Sequence, residues 1–291
     1  MKRLYVLGAG VPTPAPERFG TAYVLQLGNE RLLFDCGPAT THKLVKSGLW
    51  PTQINHVFFT HHHFDHNADY PCFLLCRWDQ CIGREPALRV YGPEPTKLIT
   101  ERLIGENGAF VFDWKARISW PTSQRVFVNR GGTLPRPAPQ VEAVDIRSGA
   151  RIEGTGWSVL AGGAMHAQPW LESLAYRVDC GGWRIVFAGD TGYCRPVVEL
   201  ARGCDVLVVN CWDRQENMDS NGEAAGQTGT RDAARFAVEA GVKTLILTHI
   251  GQRLSAPDSM EQAVALIARE FHGRIIVAAE GMALDLDAEE P

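Results

Sequence analysis

The 291-residue sequence has no apolar run near the roughly 20 residues needed to cross a bilayer, and no CxxC pair among its eight cysteines. The first absence excludes a helical membrane protein. The second argues against a structural zinc knuckle, whose ligands come in such close pairs. No export signal is expected either. After Lys2 and Arg3 only Leu4 to Leu7 precede Gly8, Gly10, Pro12 and Pro14, too short a core for a signal peptide. The expected location is therefore the cytoplasm. Cys36, Cys72, Cys76, Cys81, Cys180, Cys194, Cys204 and Cys211 are expected to be reduced there. Charge of one sign is not in excess either: 29 Lys and Arg face 33 Asp and Glu, a formal charge of −4. Proteins held to nucleic acid by bulk phosphate contacts are usually basic, so composition disfavours a nucleic-acid partner.

What is present is ordinary for a globular chain, 45% hydrophobic and 21% charged, with enough length for one large core. Strand-like runs and helical segments alternate throughout without a linker. Leu4 to Leu7, Ala22 to Leu27 and Arg31 to Phe34 read as strands, with Gly28-Asn29 as a hairpin turn. His56 to Thr60 reads as a buried strand and His66 to Cys81 as one helix. Pro121 to Gln140, with Gly131-Gly132 and Pro135, Pro137 and Pro139, reads as a long loop. Strand runs follow at Trp157 to Leu160, Leu174 to Val178, Arg184 to Ala188, Asp205 to Asn210 and Thr244 to Thr248. Thr230 to Ala240 reads as a helix stopped by Gly241, and Asp258 to Phe271 as one capped by Asp258 with Glu261. The expectation is one α+β domain over residues 1–291, with helices outside two packed mixed sheets.

The chemistry is concentrated in His61-His62-His63-Phe64-Asp65-His66, directly after a strand. His61 and His63 are two apart, so on an extended tail their rings point the same way. Asp65 and His66 follow as the chain turns into a helix. Such nitrogen and oxygen donors suit a pair of borderline ions such as zinc, although histidine-rich sites also accept manganese or iron. His166, Asp190 and His249 each follow the end of a strand run, where open sheets place their sites. A lone histidine there is more often a hydrogen-bonded core residue. Together with the cluster, five His and two Asp would fill two metal spheres and leave room for water.

With these residues in place, the sequence resembles metallo-β-lactamase-fold hydrolases, and within them the ribonuclease Z branch. Leu7-Gly8-Ala9-Gly10-Val11-Pro12-Thr13-Pro14 and Leu33-Phe34-Asp35-Cys36-Gly37-Pro38 are similar to that branch's opening hairpin. The His61 to His66 cluster, His166, Asp190 and Leu247-Thr248-His249 follow in the family's order. The resemblance implies an αββα sandwich and two metal ions. It places His61, His63 and His166 on the first ion, Asp65, His66 and His249 on the second, and Asp190 between them. It further implies a shared hydroxide as nucleophile, with Asp65 as a catalytic proton acceptor.

The sequence departs from the ribonuclease Z pattern in three ways. No histidine lies between His166 and His249, where that branch carries its leaving-group acid, and the Pro121 to Gln140 stretch offers Arg125, Arg130 and Arg136 but no longer basic arm. Asp69 stands where the family usually has glycine. Aromatic residues are prominent instead. Trp170 and Trp212 lie on loops at the donor edge, beside Asn210, and Trp78, Trp114 and Trp120 lie in segments expected to roof a cleft. The expected substrate is therefore a small, partly aromatic molecule. The protein would be a dinuclear-zinc hydrolytic dehalogenase of the chlorothalonil type or an ester or sulfate hydrolase, and a homodimer, with Trp170, Asn210, Trp212 and Asp69 contacting the substrate. The alternative is a transfer-RNA 3′-processing endoribonuclease.

Overall fold

Residues 2–287 are described in the structure, a computed structural model. Residues 1 and 288–291 of the expected domain lie outside the described residues. The chain forms β1 (Lys2–Ala9), β2 (Thr21–Leu27), β3 (Glu30–Phe34), β4 (His56–Phe58), β5 (Leu88–Gly92) and β6 (Val141–Asp145). It continues through β7 (Arg151–Gly154), β8 (Trp157–Gly163), β9 (Leu174–Cys180), β10 (Trp183–Phe187), β11 (Val206–Asn210), β12 (Thr244–Thr248), β13 (Arg274–Val277) and β14 (Ala283–Asp285). One sheet has the order β14-β1-β2-β3-β4-β5-β6 and the other β13-β12-β11-β10-β9-β8-β7. Both are mixed: β3 to β6 and β10 to β13 run parallel, and the remaining pairs are antiparallel.

Hydrophobic patterning explains the layers. β11 and β12 are buried on every residue, so Val206–Asn210 and Thr244–Thr248 are near-continuous β-branched and leucine runs. The facing sides of the sheets share one core, with Leu25, Phe34 and Phe58 from the first against Val178, Phe187 and Ile246 from the second. The outer side of the first sheet is covered by Leu44, Tyr70, Phe73 and Ile104 from helices. That of the second is covered by Val197, Leu200, Phe236 and Ile267. The expected αββα order is therefore formed. Thr230–Ala240 buries Ala233, Ala234, Phe236, Ala237 and Ala240 and ends at Gly241, whose φ of 64° needs the left-handed region.

Local readings fail where tertiary contacts intervene. Pro121–Asn129 is a helix, not loop; proline is tolerated in a first helical turn, and only the following Gly131-Gly132 stretch is irregular. The single helix expected over His66 to Cys81 is two, Phe64–Asn67 and Tyr70–Gln80. The chain breaks between them because the Asp69 N–H donates to the Cys36 carbonyl, 3.1 Å away. The cap expected from Asp258 is not made. That helix runs Pro257–Ile267, which leaves Asp258 inside the first turn. β6 and β7 lack an alternating apolar pattern because both are edge strands with mostly exposed or half-buried residues.

Candidate metal centre

The donors lie just beyond the C-terminal ends of strands from both sheets. His61, His63, Asp65 and His66 follow β4, His166 follows β8, Asp190 follows β10 and His249 follows β12. Contacts across the sandwich bring these ends together. Phe34, the last residue of β3, stacks on Phe187, the last of β10, with ring centres 4.1 Å apart. The Tyr176 hydroxyl donates to the Phe59 carbonyl at 2.6 Å, and the Leu174 N–H donates to the Thr60 carbonyl at 2.8 Å. Tyr23 and Thr248 share a hydroxyl hydrogen bond of 2.6 Å.

Three groups of donor atoms result, each with its atoms within 4.8 Å of one another: His61, His63 and His166; His61, His66 and Asp190; and Asp65, His66 and His249. His63 Nδ1 lies 3.2 Å from His61 Nε2 and 3.1 Å from His166 Nε2. His249 Nε2 lies 3.1 Å from Asp65 Oδ2 and 3.2 Å from Asp190 Oδ2. Every expected donor is therefore in the cluster. His61, Asp65, His66, Asp190 and His249 are buried, while His63 is exposed and His166 half-buried, so the cluster opens to solvent on the His63–His166 side.

The residues fit divalent cations. Asp65 Oδ1, His66 Nε2, Asp190 Oδ1 and His249 Nδ1 are buried polar atoms without a hydrogen-bond partner. Buried carboxylates normally need such partners or a cation. Burial raises the Asp190 carboxyl, but His249, His66 and His61 outweigh it and hold it well below the ordinary carboxylate range. Burial pushes the His61 imidazole well below its usual value, which keeps a lone pair free for a ligand bond.

Asp35 is the functional residue that the sequence reading missed. It accepts from Thr60 N–H at 2.7 Å, from Thr60 Oγ1 at 2.8 Å and from His66 Nδ1 at 2.8 Å. This carboxylate fixes the proton on Nδ1 and turns Nε2 toward Asp65 and Asp190. His166 is held in the same manner, with Nδ1 donating to the Gly226 carbonyl at 2.7 Å. Asp35 and His249 both have positive φ, 57° and 49°, a costly conformation for such residues that their packing enforces. Gly37 permits the close approach, because a Cβ there would collide with the Asp65 carbonyl. Asp35→Asn is expected to weaken metal retention about 10–100-fold, read as metal content after dialysis against a graded chelator. Unchanged retention would remove the orienting role.

The residues expected to contact substrate have these surroundings. Asp69 Oδ2 accepts from the Thr41 N–H at 2.5 Å and so anchors the Thr40–Lys46 helix. Asn210 is buried, its amide 2.5 Å from that of Gln227, which in turn donates to Asp190 Oδ2 at 3.1 Å. Trp212 lays one face on the His249 ring at 5.9 Å and donates from Nε1 to Glu223. Trp78 and Trp114 pack with Val111 in a separate small core instead of roofing a cleft, and Trp120 is exposed. Trp170 is 90% exposed. Beneath the donors, between the sheets, a cavity lined by Tyr23, Phe34, Asp35, Thr60, Asp190, Val208 and His249 measures about 10 Å³, the size of one water at most.

Comparison with known proteins bears on the expected substrate. The family described as "Beta-lactamase superfamily domain" matches residues 30–250. A curated relative, ribonuclease Z of Mycobacterium bovis, is 29% identical over 286 residues, 95% of each chain. The metallo-beta-lactamase fold protein YhfI of Bacillus subtilis superposes with a TM-score of 0.72 at 19% identity, covering 97% of this chain and 98% of that one. The short form of human tRNase Z does so with a TM-score of 0.65 at 23% identity, covering 98% and 99%. The expectation of a small aromatic substrate, and of a dehalogenase, is overturned by relatives that are ribonucleases Z over nearly the whole chain. A divalent metal site is part of this fold, and the donor groups for it are present. The chain belongs to the beta-lactamase superfamily and is a metal-dependent hydrolase.

Proposed function

We propose that the protein is an RNA phosphodiesterase of the ribonuclease Z type, acting at the 3′ side of transfer-RNA precursors. The observation that carries this is full-length similarity to ribonucleases Z combined with an uninterrupted donor set. His61, His63 and His166 would hold one ion, Asp65, His66 and His249 the other, and Asp190 would lie between them; zinc suits this donor set, and manganese or iron would also be accepted. Two divalent ions there would supply an acidified water and neutralise the charge that builds on a phosphate. Asp65 would take up the proton at Oδ1, its oxygen without a protein partner. Gln227, whose Nε2 donates to Asp190 Oδ2, would steady that carboxylate in the meantime. His63 is exposed and His166 half-buried, so an extended strand would approach the donors from that side.

The test is cleavage of a precursor transfer RNA carrying a 3′ trailer, by protein of verified metal content. The expected product ends at the discriminator base. The apparent affinity should fall by about tenfold or more between 50 and 200 mM salt if some three phosphates are contacted. The absence of both cleavage and RNA binding at low salt would refute the proposal.

A further inference from the structure

Trp170 carries a feature that metal chemistry does not use. Its indole is 90% exposed, although a tryptophan side chain offers 150–250 Å² for burial. The loop beneath it is closely held. The His166 N–H donates to Gln168 Oε1 at 2.8 Å, and Gln168 Nε2 donates to the Ala164 carbonyl at 2.8 Å. The Trp170 N–H donates to the Ala167 carbonyl at 3.0 Å. One side chain, Gln168, thus fixes both the backbone of a candidate metal donor and the turn that presents the indole. Phe112 and Trp120 are also exposed, but neither is built onto a donor loop.

The surroundings match an unpaired base. Met165, just before His166, is 40% exposed, and Phe64, just after His63, is 55% exposed. His63 and His166 meet at 3.1 Å, so the open mouth has apolar neighbours on both donors. Four residues of chain reach at most about 14 Å, so Trp170 lies within that distance of His166 along the backbone. A stacked strand rises about 3.4 Å per nucleotide, which puts the indole within roughly four nucleotides of a phosphate at the donors. Stacking, which every base can supply, would add affinity to whatever phosphate contacts are made.

We propose that Trp170 is a stacking platform for one unpaired nucleobase beside the scissile phosphate; this rests on the phosphodiesterase reading. The test measures binding of a dye-labelled RNA spanning the cleavage junction to the full chain in an Asp65→Ala background, so that no cleavage intervenes. Trp170→Ala is expected to weaken binding about tenfold, within the 1–3 kcal/mol that base stacking contributes, and Trp170→Phe to recover most of it. One abasic substitution among the four flanking positions should weaken binding equally, and the two losses should not add. In the otherwise native enzyme Trp170→Ala should raise KM by a similar factor and leave kcat within about twofold. Binding within twofold of the parent, or losses that add at all four positions, would overturn the platform. Cleavage with unchanged KM would also overturn it while leaving the phosphodiesterase reading intact. RNA held through Trp170 but never cut by the metal-loaded native chain would do the reverse, and no RNA binding at all would overturn both.

Discussion

Asp65→Ala is expected to reduce hydrolysis by at least about a thousandfold, with the fold retained. The large loss follows from what the carboxylate does: it belongs to the Asp65–His66–His249 donor group and offers Oδ1 to a proton. Removing a metal donor and a proton acceptor together exceeds the 10²–10⁴ that acid–base catalysis alone contributes only if the ion is also lost. Metal analysis therefore separates the two contributions. One ion per chain with residual activity assigns Asp65 mainly to holding the ion. The fold should survive because one of two crowded buried carboxylates has gone while the core shared by the two sheets is untouched. Circular dichroism and thermal unfolding check this. Full turnover with two ions bound would contradict the assignment.

Stripping divalent ions with a chelator is expected to abolish hydrolysis and to lower Tm by about 5–10 °C. A ligand at 100 times its Kd stabilises the folded state by about 2.7 kcal/mol, and each kcal/mol moves Tm by about 2–4 °C for a chain of this size. The effect should be marked because the ions relieve a specific defect: buried His66 Nε2 and Asp190 Oδ1 otherwise lack partners. Scanning calorimetry during titration with zinc, manganese or iron(II) measures it. The ion that restores both Tm and activity is the resident one. Undiminished activity in metal-free protein would exclude the site as the catalytic centre.

Much of the centre was legible because its donors obey local rules. The alternation of His61 and His63 on an extended tail needs only backbone geometry, and His166, Asp190 and His249 stand at strand ends that hydrophobic runs reveal. Other features depend on partners far along the chain. Arg136 counts as a loop cation in the sequence, yet it is buried on the Trp78 ring and paired with Asp79. Asp69 looks like added charge near the site, yet it anchors a helix through Thr41. The tryptophans were read as a pocket lining, since residue type records hydrophobicity and not the direction in which a ring is turned.

The sequence by itself determined which donors exist, their order, and the αββα layering, because periodicity and short spacing are properties of neighbouring residues. Only the tertiary structure decided that Asp35 orients His66 across 31 positions, that Trp212 rests on His249, and that Trp170 faces solvent. The physical reason is that a hydrogen bond or a buried face needs two surfaces. The second surface comes from the packing of two sheets, which no local stretch of chain contains.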